Sequence, residues 1–201
     1  VERGVFTQAG FLKLSDLPVQ QNDALRRRLN ALVTTGDESG NGDKLAKQLK
    51  EAGVKRLNLS LDTLDPQKYA YITRIGKLEQ FKAGLEAALE AGFEKIKINA
   101  VLIGGFNDDE IEAMAKLTLE YPLDMRFIEL MPIGLAKEFT AVSKEDIMAM
   151  LTEAFGEMTP YEGTLGNGPA EYYSLPDFKG HIGFIGAIHN KFCGQCNRIR
   201  L

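Results

Sequence analysis

Apolar residues recur with two different periods through the middle of the chain. The segment Lys55–Asp62 alternates apolar with polar residues, which is the period of a half-buried strand. The segment Leu78–Ala91 repeats its apolar residues at helix spacing, and Gly92 follows it as a stop signal. Segments of both kinds alternate as far as Phe155. We predict helices over Lys44–Ala52, Leu78–Ala91 and Asp108–Tyr121, and strands over Lys55–Asp62, Lys95–Ile103 and Met125–Met131.

Two capping signals mark the start of further helices. Asp65 precedes Pro66, and this pair is typical of a helix start because Asp caps the first turn and Pro is tolerated at its first position. Ser143 and Asp146 have the capping-box spacing, with Asp in place of the usual Glu or Gln. We therefore predict a short helical turn after Asp65 and a longer helix after Ser143.

The repeated strand–helix–strand order predicts an α/β fold, with a parallel sheet and helices outside it. Three predicted strands carry polar residues in their interiors. These polar residues need to face the lumen of a barrel rather than a face of the sheet that helices cover. An incomplete TIM-type β/α barrel therefore fits best. After Phe155 we predict a glycine-marked loop and short strands over Glu171–Leu175, Gly180–Ala187 and Asn197–Leu201. We divide the chain into a partial barrel, residues 1–155, and a β-rich extension, residues 156–201, lying across one end of the sheet.

The first part of the chain has weaker patterns. Asn22–Leu32 is predicted to be helical and Leu32–Thr35 to be a short strand. The polar, glycine-rich run Gly36–Asp43 indicates either a loop or a place where native sequence is replaced or missing.

Composition narrows the class of protein. The chain has 201 residues, 44% of them hydrophobic, which is enough for one domain with a substantial core and a small appendage. A net charge of −4 argues against a nucleic-acid partner. The sequence has no apolar run of membrane-spanning length, and its start at Val1 does not resemble a signal peptide. We expect a cytoplasmic protein without nucleic-acid or membrane partners.

Cys193 and Cys196 are the two cysteines of the sequence, separated by two residues. In a reducing compartment such a pair indicates metal binding or redox chemistry before a structural disulfide. Zinc, with His189 as a further candidate ligand, an iron–sulfur cluster, and redox or unreactive thiols all remain open from the spacing.

In two places a cationic residue lies two positions from another cationic or polar residue, which is the spacing of one strand face. Arg198 and Arg200 lie two residues apart, so on a strand they share a face and suit a phosphate, or else they form a solvated surface. Lys97 and Asn99 share a face of an otherwise apolar strand. A buried lysine there needs an anion or a cavity, whereas at a wet strand edge it would extend to solvent.

Two strands carry further polar candidates. Ser60 and Asp62, with Asn58, lie on one side of their strand and suit a polar ligand at the carboxyl end of the sheet, unless Asp62 only caps the following turn. Arg126 and Met131 have opposite parity, so if both serve one site, one of them lies at or beyond the strand end. Glu129 is either part of that site or an ion-pair partner of Arg126 or Lys97.

Several segments, in this order, resemble the GTP 3',8-cyclase family of molybdenum-cofactor biosynthesis, within the radical S-adenosylmethionine superfamily. The resemblance covers roughly residues 44–201 and is most specific at the last segment. The segments are Asn58–Asp65, Lys97–Val101, Arg126–Gly134, Gly168–Tyr173 and Gly183–Ile185 leading into Phe192–Leu201.

The resemblance implies a radical S-adenosylmethionine type of partial barrel and a lyase that cyclises GTP to 3',8-cyclo-7,8-dihydro-GTP, the first step of molybdopterin biosynthesis. It implies S-adenosylmethionine and two [4Fe–4S] clusters, the second of which binds the substrate. It also implies that the next enzyme of the pathway receives the product, and it is compatible with a homodimer.

By the same resemblance, each candidate residue takes a role. Lys97, Arg126, Arg198 and Arg200 are implied to bind GTP. Ser60, Asn99 and Met131 are implied to contact S-adenosylmethionine, with Thr34 and Thr35 as further cofactor contacts. Cys193 and Cys196 are implied to be two ligands of the second cluster.

The chain departs from the family pattern at its cysteines. The three-cysteine motif of the first cluster is absent, so no catalytic residue is assignable, and the third ligand of the second cluster would follow Leu201. We therefore expect a fragment or a gapped sequence, inactive by itself, rather than a degenerate relative. The alternative is a non-catalytic module of this fold that binds a nucleotide triphosphate or zinc.

Overall fold

A computed structural model describes residues 42–74, 76–132, 134–163, 165–166 and 168–186. Contacts divide the chain into two compact units. Of the described residues, the first unit contains 42–60 and 64–97, and the second contains 61–63 and 98–186. The predicted elements Asn22–Leu32, Leu32–Thr35 and Asn197–Leu201 lie outside the described residues.

The first unit packs helices beside a strand. Its elements are helix α1 (Gly42–Glu51), strand β1 (Arg56–Ser60), helices α2 (Pro66–Thr73) and α3 (Leu78–Glu90), and the start of strand β2 (Lys95–Gly104). Helices α1 and α3 contact each other, and α1 contributes Ala46 and Leu49 to the core. The Lys50 ammonium donates to the Gly92 carbonyl, which ties α1 to the turn after α3.

Local sequence accounts for the ends of these helices. The Asp65 carboxylate accepts from the backbone N–H groups of Gln67 at 2.7 Å and Lys68 at 2.8 Å, so the predicted cap of α2 is confirmed. Helix α3 ends before Gly92, whose φ of +68° is a conformation that glycine adopts without strain. The periodicity therefore located these elements to within a few residues.

The second unit contains the remainder of β2 and all later elements. They are a 3₁₀ turn (Asp108–Glu110), helix α4 (Ile111–Glu120), strand β3 (Asp124–Glu129), a second 3₁₀ turn (Gly134–Glu138), strand β4 (Thr140–Ala141), helix α5 (Lys144–Phe155), and strands β5 (Thr159–Pro160), β6 (Glu171–Ser174) and β7 (Ile182–Ile185). The hydroxyl of Ser143 accepts from Asp146 N–H at 3.1 Å, which confirms the predicted start of α5.

The strands described form one mixed sheet in the order β1-β2-β3-β7-β6-β5, with β4 paired antiparallel to β2. Strand β7 is parallel to β3 and antiparallel to β6, which is antiparallel to β5. Within the described residues the sheet is open, consistent with the predicted incomplete barrel.

The position of the extension differs from our prediction. Strand β7 lies inside the sheet, hydrogen-bonded to β3 on one side and to β6 on the other, rather than across one end. Its residues Ile182, Gly183 and Phe184 are buried. A strand buried on both faces has a near-continuous apolar sequence, and this explains why β7 joins the core sheet.

Candidate functional site

A row of three residues crosses the strands β3, β7 and β6 in the second unit. Gly183 on β7 is paired with Arg126 on β3 and with Tyr172 on β6. Residues directly opposite each other in a sheet extend from the same face, so the side chains of Arg126 and Tyr172 lie on the two sides of a glycine. The register of β7 therefore decides which residue meets Arg126.

Gly183 leaves the space in which these two side chains approach each other. A Cβ atom on Gly183 would lie 2.8 Å from Cε1 of Tyr172 and 3.0 Å from Cγ of Arg126. Both separations are shorter than ordinary carbon–carbon contacts. A side chain at position 183 would therefore displace the ring, the arginine stem or both.

The Tyr172 hydroxyl is hydrogen-bonded to the Arg126 side chain, and Arg126 is 5% exposed. Burial raises the pKa of Tyr172 above its usual value, and the charge of Asp124 acts in the same direction. The positive charge of Arg126 and its hydrogen bond oppose the shift without cancelling it. Tyr172 is therefore a neutral phenol at physiological pH.

Asp124 and His181 extend this polar face beyond the arginine. Asp124 is 2% exposed, and its Oδ1 lies 2.9 Å from Nδ1 of His181. The ring of Tyr161 packs against that of His181 in a tilted arrangement, with a centroid separation of 4.1 Å. The Oδ2 atom of Asp124 is buried and has no hydrogen-bond partner among the described residues.

Lys97, in the first unit, is 8% exposed. This burial excludes the interpretation of Lys97 as a solvated strand edge. A buried ammonium is stable only beside compensating charge or hydrogen-bond acceptors, which the protein itself or an anionic ligand can supply.

Asn99, in the second unit, has a buried Oδ1 atom without a hydrogen-bond partner among the described residues. A buried acceptor without a donor is costly, so this position fits a ligand that carries an N–H or O–H group.

Asp62 does not cap the turn after β1, which was one of the two interpretations of its sequence position. Its Oδ1 atom accepts from the backbone N–H of Val101 at 2.8 Å. Asp65 supplies the cap of α2 instead. Burial raises the pKa of the Asp62 carboxyl, and the hydrogen bond from Val101 partly offsets this effect.

Asn107 is a fully buried side chain that sequence reasoning missed. Its amide nitrogen donates to the carbonyls of Asp62 at 2.6 Å and Val101 at 2.9 Å, and its Oδ1 accepts from Ile103 N–H at 2.7 Å. Three hydrogen bonds to backbone groups make Asn107 the link between the segment after β1 and strand β2. In the sequence, Asn before two aspartates is a turn signal and does not indicate a buried side chain.

The other sequence-predicted residues occupy different positions. Ser60 is half-buried at the end of β1, in the first unit. Glu129 ends β3 and is 9% exposed, while Met131 lies beyond the strand and is 37% exposed. Met131 therefore lies past the strand end, as it would have to if Arg126 and Met131 served one site. The remaining candidates lie outside the described residues: Thr34, Thr35, Cys193, Cys196, Arg198 and Arg200.

The structure adds Tyr172, Asp124 and His181 to the residues around Arg126. The available signal was Gly183 within the apolar run Ile182–Ile185, because a glycine inside a strand often marks a close approach. Among the described residues, no group of three or more histidine, cysteine, aspartate or glutamate side chains could hold a metal ion. No helix in the described part of the chain has the length and apolar character needed to cross a membrane.

Two family models match the chain one after the other. The Radical SAM superfamily model matches residues 9–118, and the model described as Molybdenum Cofactor Synthesis C matches residues 123–201. The second match includes β3, β6, β7 and the segment with both cysteines.

Curated relatives carry one common name, GTP 3',8-cyclase. The protein of Pelotomaculum thermopropionicum is 48% identical over 159 residues, covering 78% of this chain and 49% of the relative. The protein of Syntrophomonas wolfei is 49% identical over 160 residues, covering 78% of this chain and 49% of the relative. The protein of Heliobacterium modesticaldum is 44% identical over 161 residues, covering 79% of this chain and 49% of the relative.

The chain thus spans about half the length of the curated relatives it matches. Because the match at residues 9–118 covers more than half of its 201 residues, the chain belongs to the radical S-adenosylmethionine superfamily.

Proposed function

We propose that these residues serve a GTP 3',8-cyclase, the lyase that converts GTP to 3',8-cyclo-7,8-dihydro-GTP in the first step of molybdopterin biosynthesis. The observation that carries this proposal is the pair of family matches in sequence, Radical SAM followed by Molybdenum Cofactor Synthesis C. Relatives named GTP 3',8-cyclase at 44–49% identity support it.

Membership of the superfamily implies a [4Fe–4S] cluster and S-adenosylmethionine. When bound, these groups supply the radical chemistry, and the protein supplies binding and orientation. We propose Ser60, Asn99 and Met131 as the S-adenosylmethionine contacts. The buried, unsatisfied Oδ1 of Asn99 supports its role, because a donor on the ligand would satisfy it.

A second cluster is proposed for the C-terminal segment. Cys193 and Cys196 would provide two of its thiolate ligands, since cysteines two residues apart can bind one cluster. The residues that follow, Arg198 and Arg200, would place two guanidinium groups beside it. Paired guanidinium groups bind phosphate oxygens through forked hydrogen bonds, which suits a triphosphate.

Lys97 and Arg126 are the proposed GTP contacts that lie among the described residues. Both are buried cations, 8% and 5% exposed. A triphosphate carries several negative charges, so cationic side chains suit it as contacts. Each of Lys97, Arg126, Arg198 and Arg200 is proposed to contact GTP, in a chain whose net charge is −4.

We propose the same division of labour as the sequence indicated. Residues 1–155 would provide the partial barrel that binds S-adenosylmethionine and contributes Lys97 and Arg126 to GTP binding, and residues 156–201 the extension that binds GTP and the second cluster. A cytoplasmic location, a homodimer and transfer of the product to the next enzyme of the pathway complete the proposal.

The activity is tested by anaerobic reconstitution. The longest natural protein that contains these residues should be loaded with iron and sulfide and incubated with GTP, S-adenosylmethionine and a reductant. We expect the cyclised nucleotide, identified by mass spectrometry, and none when S-adenosylmethionine is omitted. The 201 residues alone should give none, because two cysteines cannot hold two clusters in the family manner. Turnover by the 201 residues alone would contradict that account, and failure of the longest natural protein would refute the proposed function.

One observation favours a second candidate function. Cys193 and Cys196 lie two residues apart, a spacing that also suits zinc in a non-catalytic module that binds a nucleotide triphosphate or zinc. Metal analysis separates the two: iron with labile sulfide supports the cyclase, and stoichiometric zinc supports the module.

A further inference from the structure

We propose that Tyr172, in the space left by Gly183, is a positioning residue that holds the guanidinium group of Arg126 in place for GTP. This inference rests on the proposed function, which assigns Arg126 to the GTP site. It goes beyond that proposal because it gives a role to two residues of β6 and β7 that are not expected to touch the substrate.

The first support is the strand register. Arg126, Gly183 and Tyr172 form one cross-strand row, fixed by the parallel pairing of β3 with β7 and the antiparallel pairing of β6 with β7. A register shift of one residue would turn Arg126 or Tyr172 toward the opposite face of the sheet. The contact between them is therefore built into the sheet and does not depend on a loop.

The second support is the space above Gly183. Cε1 of Tyr172 and Cγ of Arg126 both approach the position of a Cβ atom on Gly183, at 2.8 and 3.0 Å. The glycine lets the ring and the arginine stem lean over the middle strand. The Tyr172 hydroxyl then reaches the Arg126 side chain and forms a hydrogen bond with it.

The third support is the charge of the partners. A neutral phenol restricts the rotamers of a guanidinium group without cancelling its positive charge, which a carboxylate would do. The carboxylate on the same face, Asp124, has one oxygen bonded to His181 at 2.9 Å. Tyr172 thus orients Arg126 without adding a negative charge of its own beside the guanidinium group.

The test compares two tyrosines that are neighbours in the sequence. Tyr172→Phe removes the hydroxyl that bonds Arg126. Tyr173→Phe removes a hydroxyl from the opposite face of β6, where it accepts from the Lys144 ammonium at 3.0 Å. The two substitutions delete the same atom from adjacent positions, so Tyr173→Phe is the matched control.

Steady-state kinetics of the reconstituted holoenzyme provide the measurement. We expect Tyr172→Phe to raise the KM for GTP about five- to tenfold with kcat unchanged, the size expected for losing one hydrogen bond of ordinary strength. Tyr173→Phe should leave KM at the wild-type value. Gly183→Ala should raise KM in the same direction, because its methyl group would separate the two side chains.

A double-mutant cycle shows whether Tyr172 acts through Arg126. In an Arg126→Gln background, Tyr172→Phe should cause no further rise in KM, because the group it positions is gone. A melting temperature of Tyr172→Phe close to that of the wild type separates positioning from a general loss of stability.

The possible failures are distinct. A wild-type holoenzyme that does not turn over GTP refutes the proposed function, and this inference with it. A working wild type overturns only the inference if Tyr172→Phe keeps the wild-type KM, if Tyr173→Phe raises KM equally, or if the effects of Tyr172→Phe and Arg126→Gln are additive.

Discussion

At the scale of single residues, side-chain hydrogen bonds hold the corner where the segment after β1 meets strand β2, beside the backbone bond from Leu61 N–H to the Asn99 carbonyl. Asp62 Oδ1 accepts from Val101 N–H, and Asn107 bonds the Asp62 carbonyl and two backbone groups of β2. Asp62 is half-buried, and this burial raises the pKa of its carboxyl. It is therefore costly to ionise in the folded state, and pH should affect stability through it.

We expect Asp62→Asn to reduce the pH dependence of stability. The folded-state pKa lies above the unfolded value of 3.8, so the folded protein binds the proton more tightly. The stability that this proton contributes is complete below about the unfolded pKa and is lost as pH rises through the folded pKa. Asparagine retains an Oδ1 acceptor for Val101 and carries no charge.

Urea unfolding of both proteins over a pH series from about 4 to 7 provides the measurement. The free energy of unfolding of the wild type should fall relative to Asp62→Asn as pH rises. Asp62→Ala, which leaves the Val101 N–H without its acceptor, should be less stable at every pH by about 1–3 kcal/mol. Parallel profiles for the wild type and Asp62→Asn would show that this carboxyl does not titrate in the range.

At the scale of elements, two glycines differ in the space that a side chain would have at their positions. Gly84 lies within helix α3, and a Cβ atom there would meet nothing within 4 Å. Gly180 precedes β7, and a Cβ atom there would lie 1.7 Å from the Leu123 carbonyl oxygen. The backbone before β7 is thus in direct contact with the backbone before β3, and this contact accompanies the parallel pairing of the two strands.

The same substitution should therefore have opposite effects at these positions. Gly84→Ala should stabilise the protein by about 0.5–1 kcal/mol, because alanine favours a helix over glycine. Gly180→Ala should destabilise it by at least about 2 kcal/mol, because two backbone segments would have to separate. Thermal unfolding of the two variants beside the wild type tests this, and a Gly180→Ala variant of wild-type stability would contradict it.

At the scale of the whole molecule, the sequence predicted what depends on nearby residues and missed what depends on register. Periodicity and caps located α2, α3, β2 and α5, because the residues that indicate each element lie within a few sequence positions of one another. Lys97 and Arg126 could be selected because charges inside apolar strands are conspicuous. The contact of Arg126 with Tyr172 joins residues far apart in sequence, through the pairing of both with Gly183. An arginine or a tyrosine in a strand does not indicate which residue of a neighbouring strand it is paired with.

If the proposed function holds, a bound nucleotide should stabilise the folded protein as a whole. A ligand that binds only the folded state adds about 2.7 kcal/mol when its concentration is 100 times Kd. We expect GTP to raise the melting temperature of the wild-type holoenzyme and to raise that of Arg126→Gln less at the same concentration. Arg56→Gln, which removes an exposed cation on β1, is the control and should respond like the wild type. Equal shifts in all three would argue against a GTP contact at Arg126.

The backbone amides of Val101 and Ile103 report on the hydrogen bonds that hold the corner at Asn107. Their amide protons are held by side-chain oxygens of Asp62 and Asn107, at 2.8 and 2.7 Å. Deuterium should enter these two amides when one carboxyl or carboxamide rotates away, without any strand separating from the sheet. Exchange at two positions of β2 would then measure how often this corner opens, independently of how often the protein unfolds.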